Sequence, residues 1–176
     1  MKFSAAFVVL SSVLAALATT PAQVLSDIQG ITSQTQTLDT NIKAITTTNI
    51  VGALAVHTAA GNLVTSINTA TSDSNAVTPK PVSEADGTSI LNAVKTLQPI
   101  IITTLNDLIA KKATIAAIPI TGLEALVLQD LQSLNTATSA FETSLLASAP
   151  SDIKTAAAPV VSAINAALSS AITAFS

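Results

Sequence analysis

The sequence predicts a single-domain, all-α protein built as a bundle of about five amphipathic helices. Apolar residues recur at steps of three and four along most of the chain, and no segment shows the strict alternation of a β-strand. Prolines and short polar runs divide this pattern into five segments of helical length. With 176 residues and no cysteine, the chain is long enough to build one core, and helix packing alone must stabilise it.

The N-terminus has the three parts of a secretory signal peptide. Lys2 provides the positive charge, Phe3 to Leu17 the apolar stretch, and Ala16-Leu17-Ala18 the small-residue cleavage motif. We therefore expect residues 1–18 to be removed after Ala18 and residues 19–176 to form a secreted domain. No transmembrane segment is expected beyond this point, because polar or charged residues interrupt every later apolar stretch.

The first two helices are expected at Gln23 to Ile45 and at Ile50 to Thr71. The β-branched and polar run Thr46 to Asn49 separates them. The segment Ser72 to Val82 contains Asp, Asn and two prolines, and this composition predicts the longest loop.

The third helix is expected to be the longest, from Ser83 to Pro119. Ser83 and Asp86 have the spacing of an N-terminal capping box, and Pro99 inside the pattern predicts a kink. The consecutive residues Ile100 to Ile102 place bulky groups on several faces, so this helix is expected at the centre of the bundle.

The fourth and fifth helices complete the pattern. Thr121 and Glu124 form a Thr-x-x-Glu box that predicts the start of a helix ending near Ala147. The last helix is expected to begin at Ser151, after Pro150, with a second kink at Pro159.

Composition argues against several classes of function. Charged residues make up 10% of the chain and form no basic patch, so nucleic acid binding is not expected. With one histidine, no cysteine and scattered carboxylates, the sequence predicts no metal site. It contains no glycine-rich loop that would bind the phosphates of a cofactor, so no cofactor is expected. The isolated acidic residues on the helices, Asp130 and Glu142 among them, are expected to keep the outer faces soluble.

His57, the single histidine, is the natural candidate for a general base. A nucleophilic triad also needs an activated hydroxyl or thiol and an orienting acid, and no G-x-S-x-G motif is present. We therefore expect no enzyme and no catalytic residue. Two interpretations of His57 remain open: a hydrogen-bonded helix residue, or a polar contact for a ligand headgroup.

Three stretches of the chain are distinctive: VLSDIQGITSQTQTLDTNI, ILNAVKTLQPIIITTLNDLIAKKATI and LEALVLQDLQSLNTATSAFETSLL. They resemble the fungal hydrophobic surface binding protein A family, which includes antigenic cell-wall galactomannoproteins. The resemblance implies a secreted, non-enzymatic five-helix domain that adsorbs to hydrophobic surfaces and helps to recruit polyester-degrading esterases. Its wall-associated relatives imply a second use, the binding of fatty acids inside the bundle.

The wide aliphatic stripes are open to two interpretations, a plain core or walls around a lipid chain. For the second, we select candidate lining residues by their stripe position: Leu54, Val64, Leu97, Ile101, Leu105, Val127, Leu134, Phe141 and Ile164. The candidate polar contacts for a headgroup are His57 and Thr35.

Binding of lipids or hydrophobic surfaces is therefore the leading hypothesis, with a secreted esterase as a further partner. The alternative is a cell-wall mannoprotein or antigen with a mainly structural role. The third hypothesis is an esterase that uses His57. We expect the protein to show no esterase activity.

Overall fold

A computed structural model describes residues 19–176, which fold into a bundle of α-helices. The predicted signal peptide at 1–18 lies outside the described residues. The helices are α1 Pro21–Lys43, α2 Ile50–Ala76, α3 Glu84–Ala110, α4 Lys112–Ala116, α5 Leu123–Ser148 and α6 Ser151–Phe175. The predicted all-α class is confirmed, with five long helices and a short sixth, α4.

Side chains cap the starts of the first three helices. The hydroxyl oxygen of Thr20 accepts from the backbone N–H of Gln23 at 3.3 Å, and the Asn49 side chain accepts from Gly52 at 2.8 Å. Ser83 accepts from the N–H of Asp86 at 3.1 Å, as the capping pattern predicts. The predicted start of the third helix and the predicted break before the second are therefore confirmed.

Other predicted helix ends are wrong. α3 ends at Ala110 instead of running to Pro119, and Lys111 forms a turn before α4. The ammonium group of Lys111 donates to the carbonyls of Lys43 and Ile45, each at 2.9 Å, so this turn is tied to the end of α1.

The predicted capping box at Thr121 is also wrong. Gly122 occupies the N-cap of α5 at φ 83°, a left-handed conformation that favours glycine, and no side chain caps the helix. α2 continues to Ala76, which shortens the predicted loop. Pro99 and Pro159 lie inside α3 and α6, which continue through them, and the kinks stay predictions.

The five long helices form a closed ring around one apolar core. α1 packs between α2 and α3, α2 packs on α5, and α6 closes the ring between α5 and α3. The contact between α5 and α6 is the least extensive of the five. The core consists of the aliphatic stripes, with Phe141 and Phe175 as its aromatic members. The α5–α6 seam is therefore where the ring is least tightly packed.

α2 and α6 are unusually apolar for helices of a bundle. By length and composition alone both could cross a membrane, with a mean hydropathy of 1.5 over their most apolar windows. Only 28% of each window is buried inside the fold. The sequence predicted no membrane-spanning helix here, because small alanines contribute much of the hydropathy of both helices. Each nevertheless directs several of its larger aliphatic side chains into the core: Leu63 and Ile67 of α2, and Ile164 and Leu168 of α6.

Candidate functional site

An apolar crevice lies between α3, α5 and α6, and we call it the α6 crevice. It contains about 570 Å³ of empty space, counted together with its open mouth, so the enclosed part is narrow. The residues that line it are Val82, Gly87, Ile90, Leu91, Val94, Glu142, Leu145, Leu146, Ser148, Ala149, Ile153, Ala157, Val160, Val161 and Ile164. Nearly all of its wall is aliphatic, so it suits a hydrocarbon chain.

Small residues shape one end of the α6 crevice. A Cβ atom on Gly87 would lie 3.1 Å from Pro150 Cδ and 3.2 Å from Ile153 Cγ1, so glycine permits the close approach of α3 to the start of α6. Ala149 and Ala157 leave space beside it that a larger side chain would fill. The crevice thus results from short side chains placed where the ring of helices is least tightly packed.

The opposite end of the α6 crevice is polar. Glu142 lies there on α5, and its Oε2 atom accepts a hydrogen bond from Asn165 Nδ2 on α6 at 3.0 Å. Its Oε1 atom is buried and has no hydrogen-bond partner. Burial raises the pKa of the Glu142 carboxyl, and the hydrogen bond from Asn165 partly opposes that shift. A carboxyl that keeps one oxygen free can accept or share a hydrogen bond.

A second, smaller crevice lies at the centre of the ring, between α1, α2, α3 and α5. It contains about 350 Å³, again counted with its opening. The residues that line it are Leu38, Ile42, Val56, Ala60, Thr104, Leu105, Leu108, Val127, Asp130, Leu131 and Leu134. The hydroxyl of Thr104 donates to the carbonyl of Ile100 at 2.9 Å, so its proton is already used within α3.

The His57 side chain is hydrogen-bonded to the Asp130 carboxyl beside the central crevice. His57 Nδ1 lies 2.9 and 3.0 Å from the two carboxylate oxygens of Asp130. Burial raises the pKa of Asp130, while the hydrogen bond and charge of His57 lower it. The His57 side chain is 46% exposed, so it lies at the rim and not inside the crevice.

Two further hollows are larger, and their walls are more polar than those of the α6 crevice. One contains about 660 Å³ beside Gln34 and Asn62, and the other about 680 Å³ beside Thr71 and Asn75. Both are more open than the α6 crevice, and hydroxyl and amide groups form a larger share of their walls. Such walls keep their water more readily than aliphatic ones, so neither hollow favours an acyl chain.

The structure distributes the predicted lining residues over several places. Leu105, Val127 and Leu134 line the central crevice, and Ile164 lines the α6 crevice. The others are in or against the core or on the surface: Leu97 and Phe141 are buried, Val64 and Ile101 are partly buried, and Leu54 is 49% exposed. Leu54 lines neither crevice, because its stripe on α2 faces solvent where no helix covers it.

The two predicted polar contacts for a headgroup, Thr35 and His57, lie in different places. Thr35 is buried, and its hydroxyl donates to the carbonyl of Ile31 at 2.8 Å, which satisfies it within its own helix. His57 points to Asp130 at the rim. The outer-face interpretation of Asp130 and Glu142 is wrong, since both carboxyls are partly buried and each lines a crevice.

Sequence reasoning missed the polar end of the α6 crevice. The available signal was the position of Glu142 next to Phe141, which places a carboxyl at the edge of the apolar stripe of α5. Gly87 was equally inconspicuous, because a glycine in the first turn of a helix has no pattern of its own.

An exposed apolar cluster lies at the start of α2, and we call it the α2 patch. Ile50 is 41% exposed, Val51 78% and Leu54 49%. These are large hydrophobic side chains, and no charged residue occurs between Ile50 and Ser72 of this helix. Elsewhere, in the part of the chain that the structure covers, no three His, Asp or Glu residues lie close enough together to hold a metal ion.

Comparison with known proteins finds one matching family and several solved structures with the same fold. Residues 21–147 match the model of the family described as hydrophobic surface binding protein A. The crystal structure of AFMP4P in complex with palmitic acid is 35% identical, with a TM-score of 0.82, over 89% of this chain and 99% of that one. No curated protein sequence matches the chain.

Two domains of the Penicillium marneffei MP1 protein share the fold. Ligand binding domain 1, complexed with arachidonic acids, is 18% identical with a TM-score of 0.79, over 89% of this chain and 99% of that domain. Ligand binding domain 2, complexed with multiple arachidonic acids, is 16% identical with a TM-score of 0.78, over 89% and 94%.

Proposed function

Because the chain belongs to the hydrophobic surface binding protein A family, we propose that it is a non-enzymatic lipid-binding protein that holds an acyl chain in the α6 crevice. The observation that carries this proposal is the aliphatic lining of the crevice. From Ile153 to Ile164 the crevice follows α6 for about 16 Å, the length of three helical turns. Each methylene group buried there contributes roughly 0.8 kcal/mol, so an acyl chain can bind without any covalent chemistry.

The relative bound to palmitic acid supports the same ligand class. AFMP4P shares the fold over almost its whole length, and its ligand is a saturated fatty acid. Weak packing between α5 and α6 provides a route, since small shifts of α6 would widen the crevice. We therefore expect a palmitoyl-length chain to enter along the α5–α6 seam.

Native mass spectrometry of delipidated protein tests this proposal. Addition of palmitic acid should give a complex with one or a small number of bound acids, and titration calorimetry should show a negative heat-capacity change from apolar burial. Absence of any bound lipid at saturating ligand would overturn the proposal.

We further propose that the α2 patch lets the protein adsorb to hydrophobic surfaces. Burial of Ile50, Val51 and Leu54 against a film or a lipid layer would remove apolar area from water without burying a charge. Depletion of the protein from solution by polyester beads tests this role. Adsorption no greater than that of a helical protein without such a patch would contradict it.

We also propose that the protein, once adsorbed, recruits a secreted esterase to the surface. A surface-bound protein would present its outer helix faces to an enzyme working on the same polyester. Esterase bound to the beads should therefore increase when this protein is adsorbed first. An unchanged amount of bound esterase would contradict recruitment and leave adsorption as a separate question.

The signal-peptide pattern of residues 1–18 supports secretion, and we propose that the domain works outside the cell. Fractionation of a culture separates release into the medium from association with the wall. Protein that stays with washed walls and carries O-linked mannose would favour the alternative role as a structural mannoprotein.

A further inference from the structure

We propose that the first half of α6, residues 151–158, is a lid that moves outward about Pro159 and opens the α6 crevice to an acyl chain. We call this segment the α6 lid. The inference rests on the proposed function, because it concerns how a lipid would enter the crevice. The enclosed part of the crevice is narrow, so one of its walls must move before a chain can pass between the helices.

The two halves of α6 differ in how deeply they are buried. None of the residues from 151 to 159 is buried, and of the lid residues Ile153 and Ala157 line the crevice. The second half buries five side chains, those of Val160, Ile164, Leu168, Ala171 and Phe175. Segments with few buried apolar contacts open at a lower free energy than the core does, so the lid should open before the rest of α6.

Polar contacts hold the second half of α6 in place. Asn165 donates to the Glu142 carboxyl of α5 at 3.0 Å. The ammonium group of Lys112, at the start of α4, donates to the carbonyl of Ala174 and lies 5.7 Å from the centre of the Phe175 ring. The second half is therefore anchored to α5 at its middle and to α4 at its end.

The lid has weaker ties. The hydroxyl of Thr155 donates within α6, to the carbonyl of Ser151 at 3.2 Å, and so does not connect the lid to a neighbour. Asp152 lies close enough to Glu84, at the start of α3, for their side chains to interact. When both carboxyls are ionised they repel each other, so this contact does not hold the lid against α3.

Pro159 separates the lid from the anchored half. Proline has no N–H, so the carbonyl of Thr155 lacks the hydrogen bond that residue 159 would otherwise donate within the helix. Helices bend sharply where this ladder of hydrogen bonds is interrupted. At the other end of the lid, Ala149 and Pro150 have non-helical backbone conformations, which provide a second point of rotation. The lid can therefore move outward between these two points.

Pro99 in α3 shows that a proline alone does not make a lid. Pro99 is also exposed and also lies inside a long helix. Buried residues flank it on both sides, with Leu97 before it and Thr104 and Leu105 after it. Both halves of α3 are thus held in the core, whereas α6 combines its proline with an unburied half.

A reversible cross-link tests the lid. A Cβ atom on Gly87 would lie 3.2 Å from Cγ1 of Ile153, so Gly87→Cys combined with Ile153→Cys brings two sulfur atoms within bonding reach. The chain has no cysteine of its own, so no other thiol competes. The oxidised and reduced forms of this double variant differ by one bond, which ties the lid to α3.

The oxidised form should take up palmitic acid about tenfold more slowly than the reduced form, or slower still, because the lid cannot move. Native mass spectrometry at timed intervals after addition of palmitic acid measures the uptake. Equal rates in the two forms would overturn the lid, while binding by both would leave the proposed function standing. If the wild type binds no palmitic acid, the proposed function and the lid fail together.

Pro159→Ala tests the hinge without any change to the lining of the crevice. The alanine restores the N–H that bonds to the carbonyl of Thr155, at an exposed residue that does not line the crevice. Uptake of palmitic acid should slow several-fold. Pro99→Ala is the matched control, because it makes the same change in α3 and should leave uptake at the wild-type rate. Unchanged uptake in Pro159→Ala, or equal slowing in both variants, would overturn the hinge.

Hydrogen exchange of the wild-type protein tests the lid without any substitution. Amides of residues 155–158 should exchange about tenfold faster than those of residues 160–171, or faster still, because the first half opens without the second. Bound palmitic acid should slow exchange in the lid, since a chain in the crevice adds contacts to Ile153 and Ala157. Equal protection of the two halves in the lipid-free protein would overturn the lid.

Discussion

The α6 crevice and the α2 patch are both apolar, but they differ in shape and in surroundings. The crevice is concave and bordered by three helices, with a partly buried carboxyl at one end. The patch is convex, formed by one helix, and Val51 at its tip is 78% exposed. Similar aliphatic residues thus line a concave crevice in one place and form a convex patch in the other.

The difference shows that helix packing, more than residue type, sets the shape of an apolar surface. α6 has helices on two sides, so space left by short side chains becomes a concave crevice with an open mouth. The start of α2 follows a loop and has no helix over its outer face, so its large side chains stay in solvent. The two regions can therefore be tested separately, because a change in one does not touch the other.

The largest expected effect comes from filling the α6 crevice. Ala157→Phe should lower the affinity for palmitic acid by tenfold or more, since overpacking a fitted site typically costs about 1–3 kcal/mol. Adsorption to polyester beads should not change. Calorimetry measures the first quantity and bead depletion the second.

Ala156→Phe provides the control, because Ala156 is the exposed neighbour of Ala157 on α6. It adds the same ring outside the crevice and should leave palmitic acid binding close to wild type. Equal binding by Ala157→Phe and the wild type would show that the acyl chain binds elsewhere, with the central crevice as the next candidate.

A charge in the α2 patch should change adsorption and leave lipid binding unchanged. Val51→Asp should reduce adsorption to polyester beads several-fold, because the carboxylate would have to lose water on contact with the surface. Palmitic acid binding should stay unchanged. Thr69→Asp adds the same charge at an exposed position farther along α2 and should adsorb like the wild type. Loss of adsorption in both variants would indicate an effect of net charge.

Periodicity predicted the helices and most of the core from the sequence. It assigned α1, the start of α3 and the apolar stripes correctly, because spacing and caps are local properties of the chain. It missed the break at Lys111, since that turn is tied by hydrogen bonds to carbonyls more than sixty residues away. Local sequence contains no sign of such a partner.

The candidate site was less predictable for a related reason. A stripe shows which face of a helix is apolar but not which helix packs against it. Leu105 and Val127 therefore share the central crevice, whereas Ile164 lies in the other one. The space of the α6 crevice depends on Gly87 and Ala157, and small residues give no periodic signal.

Alanine substitutions of Gly61 on α2 and of Gly87 at the α6 crevice should differ in their effect on stability, and this effect is of medium size. A Cβ at Gly61 on α2 would meet nothing within 4 Å, so Gly61→Ala should raise the free energy of unfolding by about 0.5–1 kcal/mol through helix propensity. Gly87→Ala should gain less or lose stability, because its methyl group must displace Pro150 or Ile153. Urea unfolding measures both. A larger gain at Gly87 would contradict the close approach that defines this end of the crevice.

The smallest expected effect is the dependence of stability on pH. Burial raises the pKa values of Asp27, Asp130 and Glu142 in the folded protein, so between their ordinary and raised pKa values the folded state binds more protons than the unfolded state. The free energy of unfolding should therefore increase as the pH falls from about 7 toward 5. Because these carboxyls keep contact with solvent, the total should be below about 1 kcal/mol.

Glu142→Gln measures how much Glu142 contributes to this dependence of the free energy of unfolding on pH. The variant lacks the titrating group, so its stability should change less with pH than that of the wild type, while Glu124→Gln should follow the wild type. Urea unfolding at several pH values between about 5 and 7 provides the measurement. The same dependence of stability on pH in Glu142→Gln and in the wild type would mean that Glu142 is not desolvated as the structure has it.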